Sequence, residues 1–283
     1  MNLFNIFSEI EQSDPEIYDR LDNRRKAMKQ FANVTGKVAL ASIPFALGSM
    51  FQKASASPTS PSDIIIDTLN FALTLEYLES EFYKKAVASG IIPAGNALSA
   101  LTVIRDHEVA HVNFLKTAIT QAGATPVSFT AASFDFTAKG TFPGVFSDYG
   151  TLLAVAQTFE DTGVRAYKGQ APNLISNNAY LTAALRIHSV EARHAAHLRE
   201  MRKAHGSLVP AGVDVKPWIT LNQSGIGSPA VQASYDGEEN VTQAGVMITN
   251  IGGQQISAAA ASEAFDEPLT KEQITAIVTP FFA

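Results

Sequence analysis

Two short stretches, Glu108-Val109-Ala110-His111 and Glu191-Ala192-Arg193-His194, each set a carboxylate and an imidazole three residues apart. On a helix, residues i and i+3 lie about one turn apart on the same face, so each pair converges on a single point in space. Taken singly, either pair would read as ion-pair material on a solvated helix face; the repetition of their surroundings decides otherwise. A lone glutamate amid apolar neighbours precedes each pair: Glu76 stands 32 residues before Glu108, and Glu160 stands 31 before Glu191. Seven residues after each lone glutamate comes a tyrosine, Tyr83 or Tyr167. One unit has been used twice.

Four carboxylates (Glu76, Glu108, Glu160, Glu191) and two imidazoles (His111, His194) suffice to hold two divalent cations, with solvent or oxygen completing the shells. Burying the lone glutamates unpaired would cost several kcal/mol or force them to stay protonated, and cations remove that penalty. Tyr83 and Tyr167 are placed to donate hydrogen bonds to ligating carboxylates. Oxygen with imidazole suits iron or manganese better than copper(I), and the lack of thiolate argues against a structural zinc site. Asp106 and Asp161 adjoin the ligand turns and are candidates to orient the imidazoles. His107 and His188 do not occupy equivalent places in the two halves, His205 reads as a C-terminal helix residue favoured by the dipole, and His197, one turn past His194, either supports a ligand or faces the bundle end.

The residues need long helices to carry them, and the 3.6-residue periodicity supplies four. The first runs from Ser62 to Gly90, the second from about Ala94 to Gly123, the third from near Ser147 to Gly169 and the fourth from near Ser176 to Gly206. Handfuls of residues join the first to the second and the third to the fourth, which makes two antiparallel hairpins. Some two dozen residues join the hairpins, in the connectivity of a ferritin-like bundle. Within that crossover, the alternation at Val127, Phe129, Phe134 and Phe136 predicts extended structure covering a helix face. The expected fold is all-α: a four-helix bundle over residues 62–206 and an irregular extension over 207–283 with short helices, one opened by a Thr270-x-x-Gln273 capping box. That extension is read as wrapping the bundle or forming a homodimer contact.

Composition bounds the rest. With 283 residues, 46% hydrophobic and 17% charged, the chain can bury one substantial core and a smaller attachment. A formal charge of -6 with scattered basic residues offers no surface for a run of phosphates, so nucleic acid is not an expected partner. The absence of cysteine excludes disulfides, thiolate metal sites, cysteine-held iron-sulfur clusters and cysteine nucleophiles.

Residues 1–56 have the layout of a twin-arginine export signal: the Arg24-Arg25 pair, an apolar run over 38–51, and Ala54-Ser55-Ala56. That apolar run falls short of the roughly 20 residues a bilayer needs, so no stable membrane anchor is expected once the signal is cleaved. A Ser/Pro linker follows over 57–61, and the expected location is periplasmic or otherwise extracytoplasmic.

Glu76 with Tyr83, Glu108-x-x-His111, Glu160 with Tyr167 and Glu191-x-x-His194 together resemble the ferritin-like superfamily, which includes ferritin, bacterioferritin and rubrerythrin. The chain looks most like the bacterial ferritin-like domain proteins related to plant desiccation-related proteins, a resemblance to which "AFDEPLTKEQITAIVTPFF" contributes. What the resemblance implies is a site for two iron ions (manganese being the other metal that suits the ligands) that reacts with iron(II) and oxygen or peroxide in oxidative or desiccation stress. Two features depart from the superfamily: with no cysteine there is no rubredoxin-type electron relay, and the long extension argues against a hollow storage cage. A second function class fits the same residues, a non-catalytic stress-protective or structural envelope protein whose metal is static or absent.

Overall fold

A computed structural model of the chain describes residues 61–206 and 208–283. The expected export signal over 1–56 lies outside the described residues, as does the expected linker except for Pro61. Four long helices dominate: α1 (Pro61–Ala88), α2 (Asn96–Gln121), α3 (Tyr149–Gln170) and α4 (Asn178–His205). Their ends carry local signals. The Asp148 side chain accepts the Thr151 amide at the start of α3, and Asn177 accepts from the amides of Ala179 and Tyr180 at the start of α4. Arg202, Lys203 and His205 lie in the last turn of α4, where the dipole favours cations.

The helices pair as two hairpins, α1 on α2 and α3 on α4. The long crossover sets the second hairpin antiparallel to the first, so Leu69 near the start of α1 and Tyr167 near the end of α3 line one cavity. The crossover is mostly irregular, with a 3-10 turn at Ala131–Ser133, and it packs inward through Phe129, Phe134 and Phe136, all buried. Phe136 and Phe146 meet the Phe82 ring at 5.6 and 5.5 Å, and Phe159 meets it at 5.1 Å, which closes this end of the bundle with aromatic carbon.

The C-terminal extension wraps the bundle. It contains a two-stranded antiparallel ribbon of β1 (Thr242–Gln243) and β2 (Val246–Met247), then α5 (Ala258–Ser262) and α6 (Lys271–Val278). The Thr270–Gln273 capping box forms at the start of α6. Phe282 pairs with Phe134 of the crossover as an antiparallel bridge, supported by Asp135 N to Phe281 O at 2.8 Å and Ala283 N to Ser133 O at 3.0 Å.

Buried arginines from the bundle hold the extension in place. Arg165, 1% exposed, donates to the carbonyls of Ser234 (2.6 Å), Asp236 (2.8 Å) and Glu267 (2.8 Å) and pairs with Glu238 at 2.7 Å. Arg202 donates to Gly225 O at 2.7 Å and to Gln157 Oε1 at 2.6 Å. These charge-assisted bonds offset most of the cost of burying the two cations, with Arg202 Nε left without a partner. At Gly169 the extension comes so close that a Cβ would lie 2.0 Å from the Leu269 carbonyl oxygen, so only glycine fits there. Among the described residues no helix is long and apolar enough to cross a membrane.

Candidate metal centre

All six residues singled out as ligands lie together in the middle of the bundle. Glu76, Glu108, Glu160 and Glu191 are completely buried, His194 is 5% exposed, and His111 is half-buried. They form two groups, Glu76–Glu108–His111–Glu191 and Glu108–Glu160–Glu191–His194, whose ligand atoms within each group lie no more than 4.8 Å apart. Glu108 and Glu191 belong to both groups, as carboxylates bridging two ions would.

Each histidine turns Nδ1 into the cluster. His111 Nδ1 lies 3.2 Å from Glu76 Oε2, 3.1 Å from Glu108 Oε2 and 3.2 Å from Glu191 Oε1. His194 Nδ1 lies 3.0 Å from Glu108 Oε1 and 3.2 Å from both Glu160 Oε2 and Glu191 Oε2. The two rings sit 6.5 Å apart between centroids.

The tyrosines close the cluster in a crossed pattern. Tyr83 of α1 donates to Glu160 Oε1 of α3 at 2.5 Å, and Tyr167 of α3 donates to Glu76 Oε1 of α1. Each side chain leans back toward the N-terminus of its own helix, and what it meets across the antiparallel pair is the facing helix's glutamate. Both hydroxyls stay protonated, because burial first and the adjacent glutamates second raise their pKa well above the ordinary value.

The electrostatics of the cation-free cluster are those of crowded acids. Burial, followed by the charge of Glu191, raises Glu108 well above the carboxylate range. Burial likewise pushes Glu160 up to about 8 against the pull of His194. Glu191 goes the other way, down to about 2: burial would raise it, but the His111 and His194 imidazoles beside it outweigh that. Burial alone would lower both imidazoles; the facing carboxylates overcome it and bring His194 up to about 12 and His111 well above its ordinary value. Positive charge in the form of protons holds these acids together.

Metal ions fit the same demand better. Four carboxylates carry four negative charges, which two divalent cations balance with both histidines neutral. Glu108 Oε1 and Glu191 Oε1, on the two shared glutamates, are buried and are approached only by His194 Nδ1 at 3.0 Å and His111 Nδ1 at 3.2 Å, neither in the geometry of a hydrogen bond. Buried acceptors in folded proteins are nearly always satisfied, and a cation between the two groups satisfies both.

Two further residues belong to the site although their sequence context did not select them. Glu79, one turn beyond Glu76, is 4% exposed, and burial followed by the charges of Glu191, Glu160, Glu108 and Glu76 keeps its carboxyl protonated. Its counterpart in the second half, at the offset that relates Glu76 to Glu160, is Gly163. A Cβ on Gly163 would lie 3.2 Å from Glu79 Oε1 and 3.8 Å from Glu191 Cγ, so the glycine makes room for the extra acid. That acid-for-glycine exchange was the readable signal. His107 is the other residue: its Nδ1 lies 2.9 Å from His194 Nε2, with the rings stacked at 5.2 Å. With His194 Nδ1 facing the carboxylates, Nε2–H donates to His107, which fixes the tautomer and the ring. The equivalent position in the other half is Val190, so only His194 has this support.

The two aspartates do not orient imidazoles. Asp106 is exposed and paired with Arg105 at 2.7 Å. Asp161 is buried but turned toward the extension, where it accepts from Tyr235 at 2.7 Å, from Gln157 at 3.2 Å and from Arg199. His188 contacts the Val164 carbonyl at 3.0 Å, away from the cluster, and His197 is exposed.

A buried set of four carboxylates and two imidazoles, presented by two helical hairpins with a long crossover, is compatible with a di-metal site. No curated protein matches the sequence. The model of the family described as the ferritin-like domain matches residues 65–204, the span from the first buried turn of α1 to the last turn of α4. Residues 65–204 of this chain are a ferritin-like domain, with the C-terminal extension built onto it.

Proposed function

We propose that the chain is an exported protein that binds two iron ions, or manganese in their place, and reacts with iron(II) and oxygen or peroxide as a protection in oxidative or desiccation stress. The observation that carries this reading is the convergence of two Glu/His groups on the same two fully buried glutamates, Glu108 and Glu191. When bound, the two ions supply one-electron redox chemistry toward an oxygen species.

The rest is the work of the chain's own residues. Glu76 with His111 would hold one ion and Glu160 with His194 the other, with Glu108 and Glu191 shared between the two groups. The Tyr167 and Tyr83 hydroxyls each occupy one oxygen of Glu76 or Glu160 and leave the other facing the cluster. Glu79 holds a proton within the site. The layout of residues 1–56 is what supports export, and the twin-arginine route carries folded proteins, so metal would be inserted before the chain leaves.

Metal analysis of the purified protein, with oxygen consumption followed after iron(II) addition, tests the proposal. The Glu108→Ala/Glu191→Ala double variant loses both signals. A wild-type chain that purifies without metal and is inert to added iron(II) refutes it. The mature N-terminus, sequenced from envelope fractions, tests the export step; a protein retaining residues 1–56 in the cytoplasm defeats it.

A further inference from the structure

The two halves of the bundle put equivalent residues at its two ends, and there they are not equal. At the end beyond Tyr83, Phe82 and Leu101 are fully buried and Phe159 is 4% exposed. The offset that takes Glu76 to Glu160 takes Phe82 to Ala166 and Leu75 to Phe159; the offset that takes Glu108 to Glu191 takes Leu101 to Ala184. At the opposite end, therefore, Ala166, Ala184 and Leu75 stand where the sealed end has two phenylalanines and a leucine.

A cavity takes the space those side chains would fill. Ala166, Ala184, Leu75, Leu115 and Ile187 line it, and Tyr167 forms its inner wall with its hydroxyl committed to Glu76. Leu75, Leu115 and Ile187 are each one residue or one turn from Glu76, His111 and Glu191, so the cavity abuts the metal centre. Its walls are almost wholly carbon, and its free space has room for about one or two molecules the size of water. Water needs two to four polar partners to occupy such a space, whereas a small apolar molecule needs none.

We propose that this cavity binds dioxygen and holds it against the Tyr167–Glu76 side of the site. The proposal rests on the iron reading above for its purpose, but the cavity's affinity for a small apolar gas does not depend on metal. Because the sealed end shows what a packed version looks like, the cavity is a departure from the repeat rather than a demand of the fold.

Crystals of the metal-free full chain under xenon pressure provide the first test, with xenon expected among Ala166, Ala184 and Leu75. Ala184→Leu and, separately, Ala166→Phe install the residues of the sealed end, and each removes the xenon. In iron(II)-loaded protein the same variants slow oxidation by dioxygen about tenfold and leave oxidation by hydrogen peroxide, a polar oxidant, unchanged. No xenon in the wild-type cavity overturns the proposal. So does an unchanged dioxygen rate in a variant that has lost xenon, or an equal loss with peroxide. A wild-type chain inert to both oxidants that still takes up xenon in the cavity defeats the iron reading and upholds the gas site.

Discussion

Replacing Gly163 by alanine tests whether the glycine is there for the sake of Glu79. Gly163 lies inside α3, where alanine is favoured over glycine by about 1 kcal/mol in a helix interior. Opposing that gain, the new Cβ would sit 3.2 Å from Glu79 Oε1, closer than ordinary contact, with Glu191 Cγ behind it at 3.8 Å. The carboxyl is buried on all sides and yields only by leaving its rotamer, which costs about 0.5–1.5 kcal/mol. The two effects nearly cancel, so Gly163→Ala alone shifts stability by less than about 0.5 kcal/mol in either direction. In a Glu79→Ala background the obstacle is gone and the same change stabilises by about 1 kcal/mol, a coupling of about 1 kcal/mol between the two positions. Urea unfolding of the metal-free full chain and its three variants measures the cycle. If Gly163→Ala is worth the same in both backgrounds to within about 0.3 kcal/mol, the glycine is not there to accommodate the acid and the argument fails.

Other outcomes follow from the same geometry. His107→Phe removes the acceptor for His194 Nε2–H and lowers the affinity of one of the two bound ions about ten- to a hundredfold, leaving the other near wild type; calorimetric titration with manganese reads two unequal sites where the wild type reads a tighter pair. Tyr83→Phe and Tyr167→Phe weaken opposite half-sites, each the one on the facing helix, because Tyr83 bonds Glu160 and Tyr167 bonds Glu76. Combining Tyr83→Phe with Glu160→Gln is therefore less than additive, while combining it with Glu76→Gln is additive. Glu238 supplies a pH dependence. Burial pushes its carboxyl up to about 7 against the pull of Arg165, so between about pH 4.5 and 7 the folded chain keeps a proton that the unfolded chain has released. Stability falls as pH rises through that window, by roughly 3 kcal/mol, and Glu238→Gln flattens the fall in thermal unfolding.

The clustering of the six candidate residues was legible because it is written twice. Glu-x-x-His at nearly equal distances behind two lone glutamates leaves little freedom once four helices surround one point, and the short and long connections dictate which helices pair. What escaped depends on rotation and on contacts across the fold. Asp161 follows Glu160 by one residue, but one residue turns a helix side chain by about 100°, so Asp161 faces the extension rather than an imidazole. Asp106, two residues before Glu108, points out to solvent for the same reason. The crossed tyrosine bonds were hidden because spacing along one helix says nothing of the level at which the facing helix presents its glutamate. Arg165, Arg199 and Arg202 read as surface residues by type, yet each is no more than 2% exposed, because the extension covers Arg165 and Arg202 with carbonyls and a carboxylate and Arg199 with the Tyr235 ring, none of which any periodicity announces.

The bridge between Phe134 and Phe282 has a consequence in time. Its partners are separated by about 150 residues, which at ordinary rates of synthesis is roughly ten to thirty seconds. Over roughly the second half of that interval, once His205 has been made, both hairpins are complete and can bring the six candidate ligands together, while Phe129 and Phe134 of the crossover still lack the ring of Phe282, and Phe159 that of Phe281. A nascent chain in that state exposes aromatic carbon at one end of a bundle whose candidate ligands are already assembled. Early metal capture would steady the helices during the wait, and cells starved of metal would be where unfinished chains aggregate.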